Sequence, residues 1–409
     1  MITGFPWLIS LCVSRFGASL TFMMYAGALT TTMQNWRMTS SEAGLVQAAF
    51  NFCFALSLVV FSLLADRFGA KRVFRWANTL TAIASVACAL FARSMESGLV
   101  LFAALGLAQG GTYGPSIMLV AQGVPLGRRG TAVGWLLAAA SFGYFGSIAL
   151  SNSISRTWDY ETAFLICGGV SAAGAIAAII GVRDRPNLKS DHALSWMQGC
   201  QLLRDRASAL LTLGYMAHCW ELLGMWAWMP AFLTAALSFS TSLGQFSQGL
   251  WVAAAIHLSG GIATFSMGYA SDKFGSRRVL ILIGMMGAIC SISIGWMINQ
   301  PPAVILLLAA VYGFAVIGDS PVLSAAMTKA VEPGRLGMAL AVRSILGFGV
   351  GGMAPLAFGF VRDGQSDAAV WGWPFTMLGI GGVLATYFAV LLPRDRPRNK
   401  LTGSKRGFD

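Results

Sequence analysis

Long apolar runs recur along nearly the whole of this 409-residue sequence. A run of roughly 18 or more apolar residues is long enough to cross a bilayer as a helix, and these runs leave no room for a soluble domain. Only 11% of the residues are charged, whereas soluble domains have about 25%. The sequence therefore predicts an all-α membrane protein that crosses the lipid bilayer many times.

The apolar runs divide into twelve predicted spans, six in each half of the chain. We expect an N-terminal six-helix bundle over 1–182, a linker over 183–206, a C-terminal six-helix bundle over 207–393 and a tail over 394–409. The spans are 7–33, 41–65, 73–92, 97–120, 130–153, 162–182, 207–235, 246–271, 277–297, 302–328, 335–361 and 369–392. The first run has neither a basic start nor a small-residue cleavage site, so we expect a retained helix rather than a signal peptide.

The basic residues indicate the orientation, because cytoplasmic loops carry an excess of Lys and Arg. Most of the 28 basic residues fall on loops that share one side with both predicted termini. This predicts a multi-pass protein of a bacterial inner membrane with both termini in the cytoplasm. The net charge of +12 is spread over short loops, which argues against a nucleic-acid partner. The basic residues on loops of the opposite side are Arg37, Arg93, Arg156 and Arg362.

The chain also repeats itself. ADRFGAKRV at 65–73 is answered by SDKFGSRRV at 271–279, and two further short motifs recur at equivalent places in the second half. Transporters are often built from two such repeats, with the solute site between them. The further pairs are GRRG at 127–130 with GRLG at 334–337, and RDRP at 183–186 with RDRP at 394–397.

These spans, the central loop and the duplicated motif resemble the major facilitator superfamily over essentially the whole chain. The family's loop between its second and third helices follows G-x-x-x-D-R/K-x-G-R-R/K, with Ser62 in place of the leading glycine in the first copy here. The resemblance implies twelve helices and a gating role for the loop. Alternatively, the charges of the loop only set the orientation of the helices in the membrane. The general pattern resembles the bacterial organic-anion and cyanate-permease-like branch. The expected gating residues are Asp66, Arg67, Gly69, Arg72, Gly268, Asp272, Lys273, Gly275 and Arg278.

Six acidic, basic or histidine residues lie deep inside the predicted spans, away from their ends. A charged residue at the bilayer centre costs about 2.5–3.5 kcal/mol on insertion scales, so it is a candidate functional residue by default. At about 1.5 Å of rise per residue, all six lie near the middle of the bilayer or slightly toward its cytoplasmic side. They are Arg15, His218, Glu221, His257, Asp319 and Arg343.

His218 and Glu221 are three residues apart and share one face of the seventh helix. Burial penalises a charged carboxylate while a nearby imidazolium stabilises it. We therefore expect Glu221 to carry a proton, with His218 tuning it and with His257 and Asp319 as further proton-coupling candidates. A His–Glu pair that only joins helices is the alternative, and His257 could equally be a hydrogen-bonded core residue.

Arg343 is the expected partner of Asp319, because a buried guanidinium needs a counter-charge and suits carboxylates. Arg343 would bind a carboxylate of the solute, or would alternate between Asp319 and the solute as its partner. The alternative is a fixed ion pair between Asp319 and Arg343. Arg15 would contact the solute unless its side chain extends to the interface. The remaining candidates for solute binding are Tyr25, Tyr113 and Trp220.

The sequence predicts a proton-coupled secondary transporter for a small organic anion or zwitterion, by symport or exchange and through alternating access. Export of amphipathic drugs by proton antiport is the alternative, although the fifth span lacks the Gly-Pro-x-x-Gly-Gly signature of such antiporters. No phosphate-binding loop, metal-ligand array or nucleophile motif occurs, so we expect neither an enzyme nor a bound metal or cofactor. We also expect a monomer driven by an ion gradient.

Overall fold

The computed structural model describes residues 6–188, 204–238, 244–331, 336–367 and 369–393. Every regular element in these ranges is helical. Most of the predicted linker and the predicted tail lie outside the described residues, as do the second RDRP and part of GRLG. The bounds set for the linker and the tail therefore stay predictions.

Twelve helical units, α1 to α12, follow one another through the described ranges. The unbroken units are α2 (Ser40–Phe68), α3 (Ala70–Phe91), α5 (Leu126–Thr157), α6 (Tyr160–Gly181), α7 (Arg206–Leu237), α9 (Ser276–Ile294), α10 (Pro302–Ala330) and α12 (Ala369–Leu391). The interrupted units are α1 (Pro6–Leu20, Met24–Gly27, Leu29–Asn35), α4 (Met95–Gln109, Gly114–Gly123), α8 (Gln245–Ala253, Ser259–Phe274) and α11 (Leu336–Gly351, Ala354–Asp363).

The twelve predicted spans correspond to these units, and the predicted fold class is confirmed. In the described part of the chain, nine helical stretches are long and apolar enough to cross a membrane. The other three units are α1 and α4, which are interrupted, and α7, which carries the predicted His–Glu pair. Glycine and proline occur at two of the interruptions, Gly110-Gly111 before Pro115 in α4 and Gly351-Gly352 before Pro355 in α11, where a helix loses hydrogen bonds most easily.

The sequence repeat is also a structural repeat. Gly69 and Gly275 end α2 and α8, and both have φ of 90° and ψ of 140°, a conformation that glycine adopts without steric cost. Two residues later in each copy, a basic side chain binds backbone carbonyls at the end of the sixth unit of the same bundle. Lys71 Nζ donates to the carbonyl of Arg185 over 2.7 Å, and Arg277 Nη2 donates to that of Val390 over 2.8 Å.

The two bundles pack together at the end where α1 passes to α2, which we call the closed face. Here α2 packs on α11 and α5 packs on α8. Glycines allow the close approach: a β-carbon at Gly44 would overlap the carbonyl oxygen of Pro355, and one at Gly359 would overlap that of Ser40. Any larger residue at these positions would push the bundles apart.

A carboxylate of one bundle caps a helix of the other at this closed face. Asp363, at the end of α11, accepts hydrogen bonds from the backbone amides of Ser40 (2.7 Å) and Ser41 (2.8 Å) at the start of α2. A negative charge at a helix N-terminus is favourable because it meets unpaired amides and the positive end of the helix dipole. We call this contact the closed-face latch.

Two side-chain hydrogen bonds join α5 to the C-terminal bundle near the same end. Asn152 Nδ2 donates to Thr234 Oγ1 over 2.9 Å, and Arg156 Nη1 donates to Gln248 Oε1 over 2.6 Å. Toward the opposite end, which carries the duplicated loop motif, Tyr113 in α4 is 38% exposed. The contacts between the bundles described here thus lie at one end of the molecule, the closed face.

Replacing Asp363 by alanine should loosen the closed face, because the latch loses both acceptor atoms. We expect a cost on the order of 1 kcal/mol to the closed arrangement. Pulsed electron paramagnetic resonance between spin labels at Gln34 and Gln365 should show a longer and broader distance distribution. Asp159→Ala is the matched control, because Asp159 caps α6 within its own bundle. An unchanged distribution in Asp363→Ala would contradict this role of the latch.

Candidate functional site

Arg343 of α11 is buried in the C-terminal bundle with incomplete hydrogen bonding. It is 6% exposed, and its guanidinium lies 4.1 Å from the centroid of the Tyr215 ring. Its Nη2 donates to Ser324 Oγ over 3.1 Å, whereas Nε and Nη1 find no acceptor among the described residues. A cation–π contact stabilises the charge but leaves these two N–H groups unpaired.

Arg15 of α1 occupies a comparable setting in the N-terminal bundle. Its Nη1 donates to Thr112 Oγ1 over 2.8 Å, and its guanidinium lies 5.2 Å from the Tyr113 ring centroid. It is 9% exposed and its Nε has no described acceptor. The side chain is thus held inside the protein by a hydroxyl group and a tyrosine ring. Arg15 and Arg343 each stack on a tyrosine ring and donate to one hydroxyl group, in opposite bundles.

His218 pairs with Asp319, which differs from both pairings expected from the sequence. Its Nδ1 lies 2.7 Å from Asp319 Oδ1, and its Nε2 lies 2.8 Å from Ser320 Oγ. Ser324 Oγ donates to the Ser320 carbonyl over 2.9 Å and also accepts the hydrogen bond from Arg343. Asp319 and Arg343 are therefore connected through His218 and two serines rather than by a direct ion pair.

Glu221 points into the C-terminal bundle, away from His218. A β-carbon at Gly382 would lie 2.6 Å from its Oε2, and one at Gly287 would lie 3.5 Å from its Oε1. The Tyr312 hydroxyl also interacts with this carboxylate and donates to Ser291 Oγ over 2.8 Å. Glu221 thus occupies a space left by two glycines between α9, α10 and α12.

His257 belongs to a layer of aromatic rings drawn from both bundles, which we call the aromatic layer. The Trp226 ring lies 5.9 Å from that of His257 and 5.7 Å from that of Tyr144. Trp226 Nε1 and His257 Nε2 have no hydrogen-bond partner among the described residues. His257 stands in a π-helical turn of α8, Ala254–Leu258, a feature that is frequent at functional sites. The layer comprises Phe22, Phe54, Tyr144, Trp226, His257 and Phe348.

Two of the aromatic candidates lie apart from these groups. The Tyr25 hydroxyl donates to the Ala43 carbonyl over 3.1 Å, and its ring packs on Phe102 in the N-terminal bundle. Trp220 is half-buried and lies against Gly381 of α12. The structure therefore places Arg15 beside Tyr113 in the N-terminal bundle and connects Asp319 to Arg343 within the C-terminal bundle. Tyr25 and Trp220 lie apart from both groups.

Three of the loop residues expected to gate make side-chain contacts within their own bundles. Asp272 pairs with Lys329 over 3.5 Å on the exposed surface. Arg67 and Lys273 stack on the rings of the phenylalanines that follow them, at 5.3 and 5.4 Å from the ring centroids. These contacts lie at the opposite end of the bundles from the closed face.

Tyr215, Trp226, Ser320 and Ser324 were not predicted as site residues from the sequence. Tyr215, His218, Leu222 and Trp226 follow a spacing of three, four and four residues along α7. This spacing places them on one face of the helix. That face could have been found from the sequence by starting from the histidine.

A methyl group at Gly382 should disturb Glu221. The new β-carbon would lie 2.6 Å from the carboxylate and 2.9 Å from the backbone nitrogen of Ala288. Overpacking of this kind costs about 1–3 kcal/mol, so the melting temperature of Gly382→Ala should fall. Gly261→Ala is the control, because a β-carbon there meets nothing within 4 Å. Equal melting temperatures for the two variants would be incompatible with a Glu221 carboxylate packed against Gly382.

Comparison with known proteins agrees with this architecture. The chain is 22% identical over 422 residues to the probable sulfoacetate transporter SauU of Cupriavidus necator, covering 95% of each chain. It is 31% identical over 171 residues to the niacin transporter NiaP of Acinetobacter baylyi, covering 42% of this chain and 37% of that protein. The crystal structure of a mutant of the nucleoside transporter NupG superimposes with a TM-score of 0.77 and 15% identity, covering 94% and 99% of the two chains.

The family model described as Major Facilitator Superfamily matches residues 11–256 and 211–408, so that its two matches together cover nearly the whole chain. The expectations of a transporter fold and of a protein that is not an enzyme are confirmed. This multi-pass membrane protein belongs to the Major Facilitator Superfamily.

Proposed function

We propose that this protein carries small organic anions across a bacterial inner membrane, together with protons, by alternating access. The observation that carries the proposal is Arg343, a buried guanidinium with two unpaired N–H groups among the described residues. An unpaired buried hydrogen-bond donor costs about 1–3 kcal/mol, and more when it is charged. A carboxylate or sulfonate bound there would satisfy both N–H groups at once.

Arg15 supports the same assignment from the opposite bundle. Its Nε also lacks an acceptor in the described part of the chain, and an anion between Arg15 and Arg343 would contact both halves of the protein. A solute that binds both halves can stabilise their approach on the open side, as alternating access requires. The names of the relatives fit this class, because sulfoacetate and niacin are both organic acids.

Proton coupling is best supported at the His218–Asp319 pair. Arg343 reaches this pair through Ser324 and Ser320. An incoming anion adds negative charge beside Asp319, and a proton on His218 or Asp319 offsets it at short range in a medium of low dielectric. Anion and proton would therefore enter the site together. Glu221, which interacts electrostatically with Asp319, is the second candidate for the proton.

The orientation follows from the basic loops. If they face the cytoplasm, the closed face is external and the space between the bundles opens to the cytoplasm. The duplicated loop motif then lies at the open end. Asp272 and Lys71 of the motif, which now bind within their own bundles, would form cross-bundle contacts when that end closes.

Proton-driven export of amphipathic drugs is less well supported. Many such drugs are cations, and two buried arginines at the centre would repel them at short range. The aromatic layer alone would suit apolar compounds, but it leaves the unpaired guanidinium groups without a role.

Arg343→Gln should abolish anion transport, because the substitution removes the charge and most of the N–H donors. In proteoliposomes, uptake of radiolabelled nicotinate or sulfoacetate should fall at least about tenfold. Arg93→Gln is the matched control, since Arg93 forms an exposed ion pair with Glu161 at the closed face. Full transport by Arg343→Gln would remove this arginine from the solute site.

Asp319→Asn should uncouple transport from the proton gradient. An imposed pH gradient should no longer drive accumulation, whereas exchange of labelled for unlabelled solute should persist. Glu221→Gln, measured beside it, should keep gradient-driven accumulation. If Glu221→Gln instead loses accumulation while Asp319→Asn keeps it, Glu221 carries the proton as the sequence predicted.

A further inference from the structure

A narrow cavity lies inside the C-terminal bundle, between α7, α9, α10 and α12. Asp319 forms part of its wall, and the other described residues that line it are apolar or glycine. The space left for water centres is about 10 Å³, close to what one water molecule needs. One carboxylate is too few partners for a permanently ordered water, so the cavity suits a water that passes through. The wall includes Leu210, Gly214, Leu280, Gly284, Asp319 and Ala385.

The cavity leads from one end of the bundle to its middle. Leu210 lies four residues from the start of α7 and Leu392 directly follows α12, and both are half-buried. Asp319 lies eleven residues from the end of α10, which is about 16 Å along the helix axis. These helix ends belong to the side of the bundle that carries the duplicated loop motif. Water from that side therefore has a way to Asp319 that is lined only by the C-terminal bundle.

Asp319 faces both this cavity and the connection to Arg343. Its Oδ1 lies 2.7 Å from His218 Nδ1, and two serines join the pair to Arg343. The titratable groups that interact with Asp319 are His218, Cys219 and Glu221, all of α7. Among the described residues, α9 and α12 present no ionisable side chain to the cavity. Asp319 is thus placed between a route for water and the arginine.

Polar groups continue beyond Asp319 in the interior of the same bundle. Glu221 interacts electrostatically with Asp319, and the Tyr312 hydroxyl interacts with the Glu221 carboxylate. Tyr312 donates to Ser291 Oγ over 2.8 Å, and Ser291 donates to the Phe375 carbonyl over 2.9 Å. Glu221 is therefore the next group along this interior that could accept a proton from Asp319.

We propose that protons reach Asp319 through this cavity, by a route separate from that of the anion. A hydrated proton gives its proton to a carboxylate oxygen of Asp319, so that an O–H bond forms on the carboxyl group and a neutral water remains. This inference rests on the proposed coupling at Asp319 and adds the route that serves it. Two separate routes allow Asp319 to be protonated while an anion occupies the site at Arg343.

The test is the exchange of hydrogen for deuterium on the Asp319 carboxyl group, followed by infrared spectroscopy of the full-length protein in lipid bilayers. The carboxyl band is assigned by its loss in Asp319→Asn. Gly214→Ala adds a methyl group to the cavity wall, and its β-carbon would lie 3.8 Å from Leu323 Cδ2, an ordinary contact that the fold should tolerate. Because the methyl group takes the room of the water, exchange should slow at least about threefold.

Two further variants separate blockage of the cavity from a general effect on packing. Gly169→Ala is the matched control, because it lies on α6 of the other bundle and a β-carbon there meets nothing within 4 Å. Leu210→Ala widens the outer end of the cavity and should speed the exchange. A general loosening of the bundle would instead speed the exchange in both cavity variants. An exchange rate in Gly214→Ala equal to that of the original protein would overturn the route.

Transport measurements distinguish this inference from the proposed function. If the route is correct, accumulation of nicotinate driven by a pH gradient should slow in Gly214→Ala together with the exchange. If neither nicotinate nor sulfoacetate is transported while the exchange is still slowed, anion transport falls and the route stands. If Gly214→Ala changes neither accumulation nor exchange, the route falls and anion transport stands. Absence of an Asp319 carboxyl band at every pH would overturn both the route and the coupling at Asp319.

Discussion

Two guanidinium groups in the interior of an apolar bundle are the constraint on which the arrangement of this protein depends. A charge of this kind is costly unless it is compensated. Among the described residues, each one is compensated only in part, by a tyrosine ring and one hydroxyl group. The same incomplete compensation appears in both bundles. The proposed anion would complete this compensation in both bundles.

The helices around these arginines follow from simple patterns, and the fold was predictable for that reason. The length of the apolar runs indicated the spans. The two halves were indicated by the loop at 65–73 and its copy at 271–279. The structure extends the repeat to details that the sequence does not display. The positive-φ glycines Gly69 and Gly275 and the basic residues that follow them occupy equivalent positions and make equivalent contacts.

The pairing of the buried residues was less predictable. Depth along a helix can be counted in residues, so the six ionisable groups were expected near one level. The rotation of each helix about its axis decides which neighbour a side chain meets, and no simple count gives it. His218 and Glu221 share a helix face within about 60°, yet one pairs with Asp319 and the other lies beside Gly382. Glycines on α9 and α12 create that second space, and their effect depends on packing between distant segments.

The closed-face latch means that the N-terminus of α2 is completed by a different part of the chain. The first amides of a helix have no partner within that helix, and two of those in α2 receive theirs from Asp363. If the bundles separate at this end, as the proposed transport cycle requires, water must take over those two hydrogen bonds. The hydrogen-exchange rates of the Ser40 and Ser41 amides would then follow the fraction of molecules open at this face, which makes a helix end a natural reporter of the transport cycle.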